Sequence, residues 1–266
     1  PTVFKTWDEP LRASMLAEGR AFFREYLDPQ GRTMRDFFSA KVSFVDERLA
    51  RHYGVAAPSG TGRLEGGVDR RVGFLGTAAF LTATSFSYRT SPTLRGVTVV
   101  RDLLCEELPD PPMGVPPLDE NANAAAASQN VRERLAAHRT NEGCAACHSL
   151  FDPLGLGLEN FDGIGLWRDA YQNGDAIDPT GELPDGSKFR GLAELAPILA
   201  KDERFAGCVA KKLFIYAHGR ALVDADESAL ASLAAGFERN DLALRGLIES
   251  MVLSETFRSR RAEGAQ

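Results

Sequence analysis

A mainly α-helical protein is what this sequence predicts, with a helical domain around a single cofactor-type motif and helical segments on either side. Three observations carry that expectation. Apolar residues recur at three- and four-residue spacing along most of the chain. Helix-start and helix-stop signals bracket several of these stretches. No alternating apolar and polar run is long enough to argue for a substantial strand. The length, 266 residues, suits one large domain or two small ones. A hydrophobic content of 44% and a charged content of 26% are those of an ordinary globular chain able to build a core.

The elements follow in order. Asp8 caps a helix carrying Leu11, Met15, Phe22 and Tyr26, which stops at Asp28-Pro29-Gln30-Gly31. Thr33 to Asp36 reads as a capping box, ahead of a helix with Phe37, Phe38, Phe44, Val45 and Leu49 that ends at Gly54. A Gly/Pro/Ser-rich loop occupies 56–67, and a small apolar stretch covers 72–83. Ser91 and Pro92 open a helix expected to reach Leu108, where Pro109 blocks continuation. Residues 109–127 are proline-rich and then Asn/Ala-rich, a linker read as a surface strap between subdomains. Ser128 caps a helix over 131–140. Residues 149–190 are rich in Gly and Asp with little periodicity, and a stretch that long usually has a function or wraps a cofactor. Helices over 192–200, 205–218 and 241–258, with a shorter one near 229–237, close the chain.

The most specific chemistry lies at Cys144, Ala145, Ala146, Cys147 and His148. C-x-x-C-H is the spacing that anchors haem c: each thiol adds to one vinyl group, and the neighbouring imidazole reaches the iron from the proximal side. Other chemistries fit less well. Zinc needs four ligands, and Cys105, Cys208, His138 and His218 stand at no typical spacing from the pair. A thioredoxin-like couple needs a βαβ setting, and a helical stretch leads into Cys144 instead. A plain disulfide or two buried thiols is the remaining alternative. The predicted cofactor is one covalent haem c.

The run from Cys144 to Arg168 resembles the haem-binding core of the planctomycete- and myxobacterial-type multi-domain cytochrome c family, a string of adjoining domains of unknown function (DUF1592, DUF1588 and DUF1585). Three further stretches are similar to that family in the expected order: Phe44 to Gly54, Thr90 to Gly96, and Tyr216 to Arg220. The resemblance covers nearly the whole chain and implies a multi-domain cytochrome c-like protein without naming a reaction. It implies a division into 1–68, the helical tail of an upstream domain; 69–170, the haem domain; and 171–266, a C-terminal helical domain. Related sequences also carry cysteines matching Cys105 and Cys208. With Cys144 and Cys147 on haem, these two form an even pair, expected as a disulfide, with two separate buried thiols as the alternative.

His148 is the expected proximal ligand. The distal side stays open among His138, Met113 and Met251, or is left vacant. His138 shares a helix face with Val131 and Leu135, so a core histidine is its competing role. Met113 sits in the proline strap, which could fold over the haem edge. Met251 lies among Leu247, Ile248 and Val252, where packing is the default. Arg95 and Arg168 are candidates for haem propionates, with ordinary structural roles as the alternative. Trp167 could pack on the porphyrin edge or in the core. His52 and His218 read as structural or solvent-facing. Asp152, Asp162, Asp175, Asp178 and Asp185 do not match an EF-hand spacing for calcium.

The net charge of −6 argues against nucleic acid or an anionic membrane surface as partner. No 18-residue apolar stretch spans a membrane. Haem c is attached outside the cytoplasm, so a periplasmic or outer-envelope location in a Gram-negative bacterium is expected. The lack of a signal peptide suggests a mature or C-terminal piece. Two functions compete. One is an electron-transfer module that meets a redox partner protein, with other subunits or domains of a larger assembly around it. The other is a haem enzyme, peroxidase- or oxidase-like, with an open iron position and a distal acid/base group. Ser-His-Asp, phosphate-loop and Rossmann patterns are not found in the sequence.

Overall fold

The computed structural model describes residues 3–28, 31–58, 62–109, 131–139 and 142–259. Helices dominate, joined by three short two-stranded sheets. Helix α1, Glu9–Glu25, starts where expected: the Asp8 carboxylate accepts from the Leu11 amide at 2.7 Å. It buries Leu11, Met15 and Phe22.

The expected helix from 33 to 54 is broken in two. Thr33 makes no side-chain cap, and Met34–Asp36 is a single tight turn. The chain then runs extended as β1, Val42–Phe44, paired antiparallel with β2, Arg63–Glu65. The working cap is Asp46, whose carboxylate accepts from the Leu49 amide at 2.8 Å. It opens α2, Glu47–Tyr53, and Gly54 ends α2 in the left-handed region at φ 72°. The consecutive aromatics Phe37 and Phe38 had suggested a helix face. Instead they point into a cluster with Phe22, Phe74 and Phe205, Phe38 lying 4.7 Å from Phe205 centroid to centroid.

Helix α3, Ala78–Ala83, leads to a tight hairpin of β3, Ser85–Phe86, and β4, Arg89–Thr90. Helix α4, Pro92–Val97, begins at the expected Ser91 cap with Pro92 in its first turn. It continues through a wider turn, Thr98–Leu103, and stops before Leu108: Cys105 takes φ 53°, a conformation that no regular helix accepts. Beyond it come α5, Val131–His138, and α6, Glu142–Leu156. A long loop then leads to a hairpin of β5, Thr180–Glu182, and β6, Lys188–Arg190. The chain closes with α7, Gly191–Leu199; α8, Arg204–His218; α9, Glu227–Arg239; α10, Leu244–Leu253; and α11, Glu255–Arg258. The helix expected over 241–258 thus begins at Leu244 and divides at Ser254, which leaves the helical region and caps α11.

One buried cluster holds Phe22, Phe38, Leu75, Phe161, Leu195, Phe214 and Met251, so all three expected segments contribute to the same core. Among the described residues, no helix is long and apolar enough to cross a membrane.

Candidate functional site

Helix α6 carries the C-x-x-C-H stretch. Cys144, Cys147 and His148 stand at i, i+3 and i+4, so they share one helical face. Both cysteines are half-buried free thiols. Pro153 lies inside the helix and withholds one amide, yet α6 runs on for another three residues to Leu156.

The His148 ring packs on Phe151 with centroids 4.9 Å apart. Its Nδ1 lies 3.0 Å from Oδ2 of Asp152, one turn further along. Asp152 has no solvent exposure, and its other oxygen accepts from Thr93 Oγ1 of α4 at 2.9 Å. Burial raises the Asp152 carboxyl above its usual range, while His148 and Thr93 pull it back down. With Nδ1 held by Asp152, a metal bound by His148 would take Nε2.

Helix α4 can hold Thr93 there because the two helices touch backbone to backbone. A Cβ on Gly96 would sit 1.9 Å from the Phe151 carbonyl oxygen, and one on Gly155 only 1.8 Å from that of Pro92. Small residues at the crossing are therefore obligatory. The residues leading into α4 each make a defined contribution. Thr90 Oγ1 donates to Glu159 at 2.9 Å, Ser91 caps the helix, Pro92 starts it, and Thr93 holds Asp152.

Arg95 is the largest wholly buried side chain. Its terminal nitrogens donate to the carbonyls of Leu158, Phe161 and Asp162, each at 2.8 Å, and to Ser85 Oγ. Burial lowers its pKa to about 10, against the pull of Glu159. Enclosed among these carbonyls, the guanidinium locks the turn that follows α6. Arg168 joins the same network, donating to Glu159 Oε2 at 3.1 Å and to the Glu159 carbonyl. Trp167 meets Phe161 edge-on at 5.2 Å, donates to Asp169 at 3.0 Å, and lies under the Arg70 guanidinium.

The stretch from Phe44 to Gly54 docks on this loop too. The His52 ring nitrogen Nε2 meets the Ile164 carbonyl at 2.9 Å, and Arg71 bridges the Tyr53 ring to the carbonyls of Gly76 and Gly165. His218 stacks on Phe214 at 4.1 Å, and Gly219 ends α8 in the left-handed region. Asp162, Asp175, Asp178 and Asp185 each hydrogen-bond within their own turns. Among the described residues, no three His, Cys, Asp or Glu side chains converge as a metal set.

Met251 is buried in the core on α10, which packs against α8 and α9. Met113 and the His138 side chain lie outside the described residues. Cys105 and Cys208 stand at bonding distance, S–S 2.11 Å, joining the end of the turn after α4 to α8.

A cavity of about 850 Å³ lies along the flank of α6. Leu150 and Leu154, at i+3 and i+7 from Cys147, line it on one side. Val100, Leu104 and Glu106 form a second wall, with the β5–β6 hairpin and 197–204 completing it. The disulfide is built from the neighbour of Leu104 and Glu106 on one strand of chain and from α8, four residues past Arg204, on the other. Sequence reasoning missed Thr93, Glu159 and the role of Asp152. The i+4 spacing of His148 and Asp152 was the available signal.

Three family models match in adjacent order. Residues 1–55 match a protein of unknown function (DUF1592), 71–171 another (DUF1588), and 185–257 a third (DUF1585). The chain thus matches those three families in tandem. The order is that of the planctomycete-type cytochrome-associated arrangement expected from the sequence. The DUF1588 stretch contains the whole of α4, α6 and the Arg95–Glu159 network. No curated protein and no solved structure gives a significant match.

Proposed function

We propose that this chain is a c-type cytochrome module, with Cys144 and Cys147 as the attachment thiols of one haem and His148 as its proximal ligand. The observation that carries the reading is the donor set itself. Two unpaired thiols and an imidazole share one helical face, and the imidazole already has its Nδ1 held by Asp152. That is the arrangement expected of a metal-binding histidine, whose second nitrogen is fixed by a hydrogen bond. The chemistry supplied by a haem bound there is a one-electron ferric/ferrous couple. Phe151 packs against the His148 ring, and Leu150 and Leu154 of the same helix line a neighbouring cavity that Cys144, Cys147 and His148 do not line.

Electron transfer with a redox partner protein, inside a larger protein or complex, is the activity we assign to the module. A cell-envelope location follows from haem c attachment, and the cysteine pair at bonding distance is in keeping with an oxidising compartment.

The test is expression with the haem-attachment machinery, followed by absorption spectra of oxidised and reduced protein with and without carbon monoxide. Covalent haem that survives acid–acetone extraction, a low-spin spectrum and indifference to carbon monoxide are expected. Cys144→Ser and Cys147→Ser would each lose one thioether bond. A high-spin spectrum that binds carbon monoxide would replace electron transfer by the haem-enzyme alternative. Protein that matures without haem would overturn the proposal.

A further inference from the structure

We infer that Asp152 is a positioning residue for the proximal ligand, and that its carboxylate lends His148 anionic character that holds the iron couple at low potential. The inference rests on the haem reading above and goes beyond it by fixing the direction in which the protein tunes its electron carrier.

The geometry is specific. Nδ1 of His148 lies 3.0 Å from Oδ2 of a carboxylate that has no contact with water. The other oxygen of that carboxylate is fixed by Thr93 at 2.9 Å, so the group cannot swing away. The helix carrying Thr93 is pressed against α6 at Gly96 and Gly155, which leaves the Thr93–Asp152–His148 chain little freedom to relax. The hydrogen-bond partners of the Asp152 carboxylate are His148 and Thr93, and Arg139 acts on it electrostatically as well. Part of the charge of the carboxylate therefore falls on the imidazole.

A charged acceptor polarises an N–H bond far more than a peptide carbonyl does, by roughly a factor of two in bond strength. The effect is larger where water is excluded. An imidazole whose N–H is drawn toward a carboxylate is a stronger donor through Nε2, and a stronger donor stabilises the higher oxidation state of the metal. The competing reading is an ordinary i,i+4 helix pair that contributes only to stability. That role would leave the potential unmoved, so the potential is the deciding observable.

The experiment uses the full chain carrying covalent haem, with the ferric/ferrous ratio followed spectrally against mediators of known potential. Asp152→Asn keeps the shape of the side chain and an oxygen to accept from His148 but removes the charge. We expect the ferrous fraction at fixed ambient potential to rise about tenfold in ratio, equivalent to about +59 mV for a one-electron couple. Thr93→Val acts from the other side: it removes a donor that shares the carboxylate's charge, and the ratio should move the opposite way. Haem attached and both ratios unchanged within twofold would overturn the inference while leaving the cytochrome reading intact. Should Asp152→Asn fail to mature, the sign of the Thr93→Val shift decides the matter alone. A parent protein that takes up no haem would remove the ground for both.

Discussion

Replacing Cys105 and Cys208 together by alanine should be among the most damaging changes available outside the C-x-x-C-H stretch. The two residues are 103 apart in sequence. In the chain-entropy treatment, a cross-link closing a loop of that length stabilises the fold by about 4.7 kcal/mol at 25 °C. Little nearby can compensate. Arg204 pairs with Glu106 at 2.8 Å and Lys212 with Asp102 at 3.3 Å across the same junction, yet these are exposed pairs worth about 0–1 kcal/mol each. For a chain of this size, each kcal/mol moves the melting temperature by about 2–4 °C, so the double variant should melt about 10–15 °C lower. Guanidinium titration of parent and variant measures the difference directly. The denaturant slope should also rise, since an untethered unfolded chain exposes more surface. A loss below about 1 kcal/mol would refute the reasoning. It would mean that the unlinked ensemble already keeps the end of the turn after α4 beside α8.

Three further outcomes follow from the packing. Gly155→Ala places a methyl 1.8 Å from the Pro92 carbonyl with backbone on both sides, so the cost should reach or exceed about 3 kcal/mol, at the top of the overpacking range, and chemical denaturation would read it. Arg95→Met leaves the carbonyls of Leu158, Phe161 and Asp162 without this donor, while Arg168 still pairs with Glu159, for an expected loss of about 3 kcal/mol or more by the same assay. Burial raises the Glu18 carboxyl to about 7, against the opposing pull of Arg71, Tyr53 and the Ala78 amide. The folded state therefore holds this proton more tightly than the unfolded chain does. Its contribution is fully present below about pH 4.5 and is lost as pH rises toward 7, by about 3 kcal/mol in all. Melting temperatures across that window should decline in the parent by more than in Glu18→Gln, and parallel curves would count against a buried neutral Glu18.

Much of the helical framework was legible because local signals sufficed. Asp8, Ser91, Pro92, Gly54 and Gly219 act through their own neighbours, and each sits where its chemistry predicts. Long-range partners were not legible. The aromatic pair Phe37 and Phe38 belongs to a cluster completed by Phe205 on a distant helix, and no local period announces that. The capping-box pattern at Thr33 to Asp36 forms no cap, and the helix opens at Asp46 instead. At the site, spacing singled out Cys144, Cys147 and His148, and the structure places them on one face of α6. Arg95 drew attention as a charged residue in a marked stretch, yet burial decides its role, and burial of an arginine among carbonyls 63 to 67 residues away leaves no trace in its own surroundings.

The placement of the four cysteines has a consequence for how such a chain matures. Cys105 and Cys208 must find each other over 103 residues, while Cys144 and Cys147 stand three apart and stay reduced on one helix. For a flexible unfolded chain, loop-closure entropy favours the near pair over the far one by about 3 kcal/mol. In an oxidising compartment the easiest bond to form is thus the unwanted one. Helix formation over α6, or prompt capture of its thiols, sets the order of events. Whichever comes first guards the reactive sulfurs while the distant bond is made.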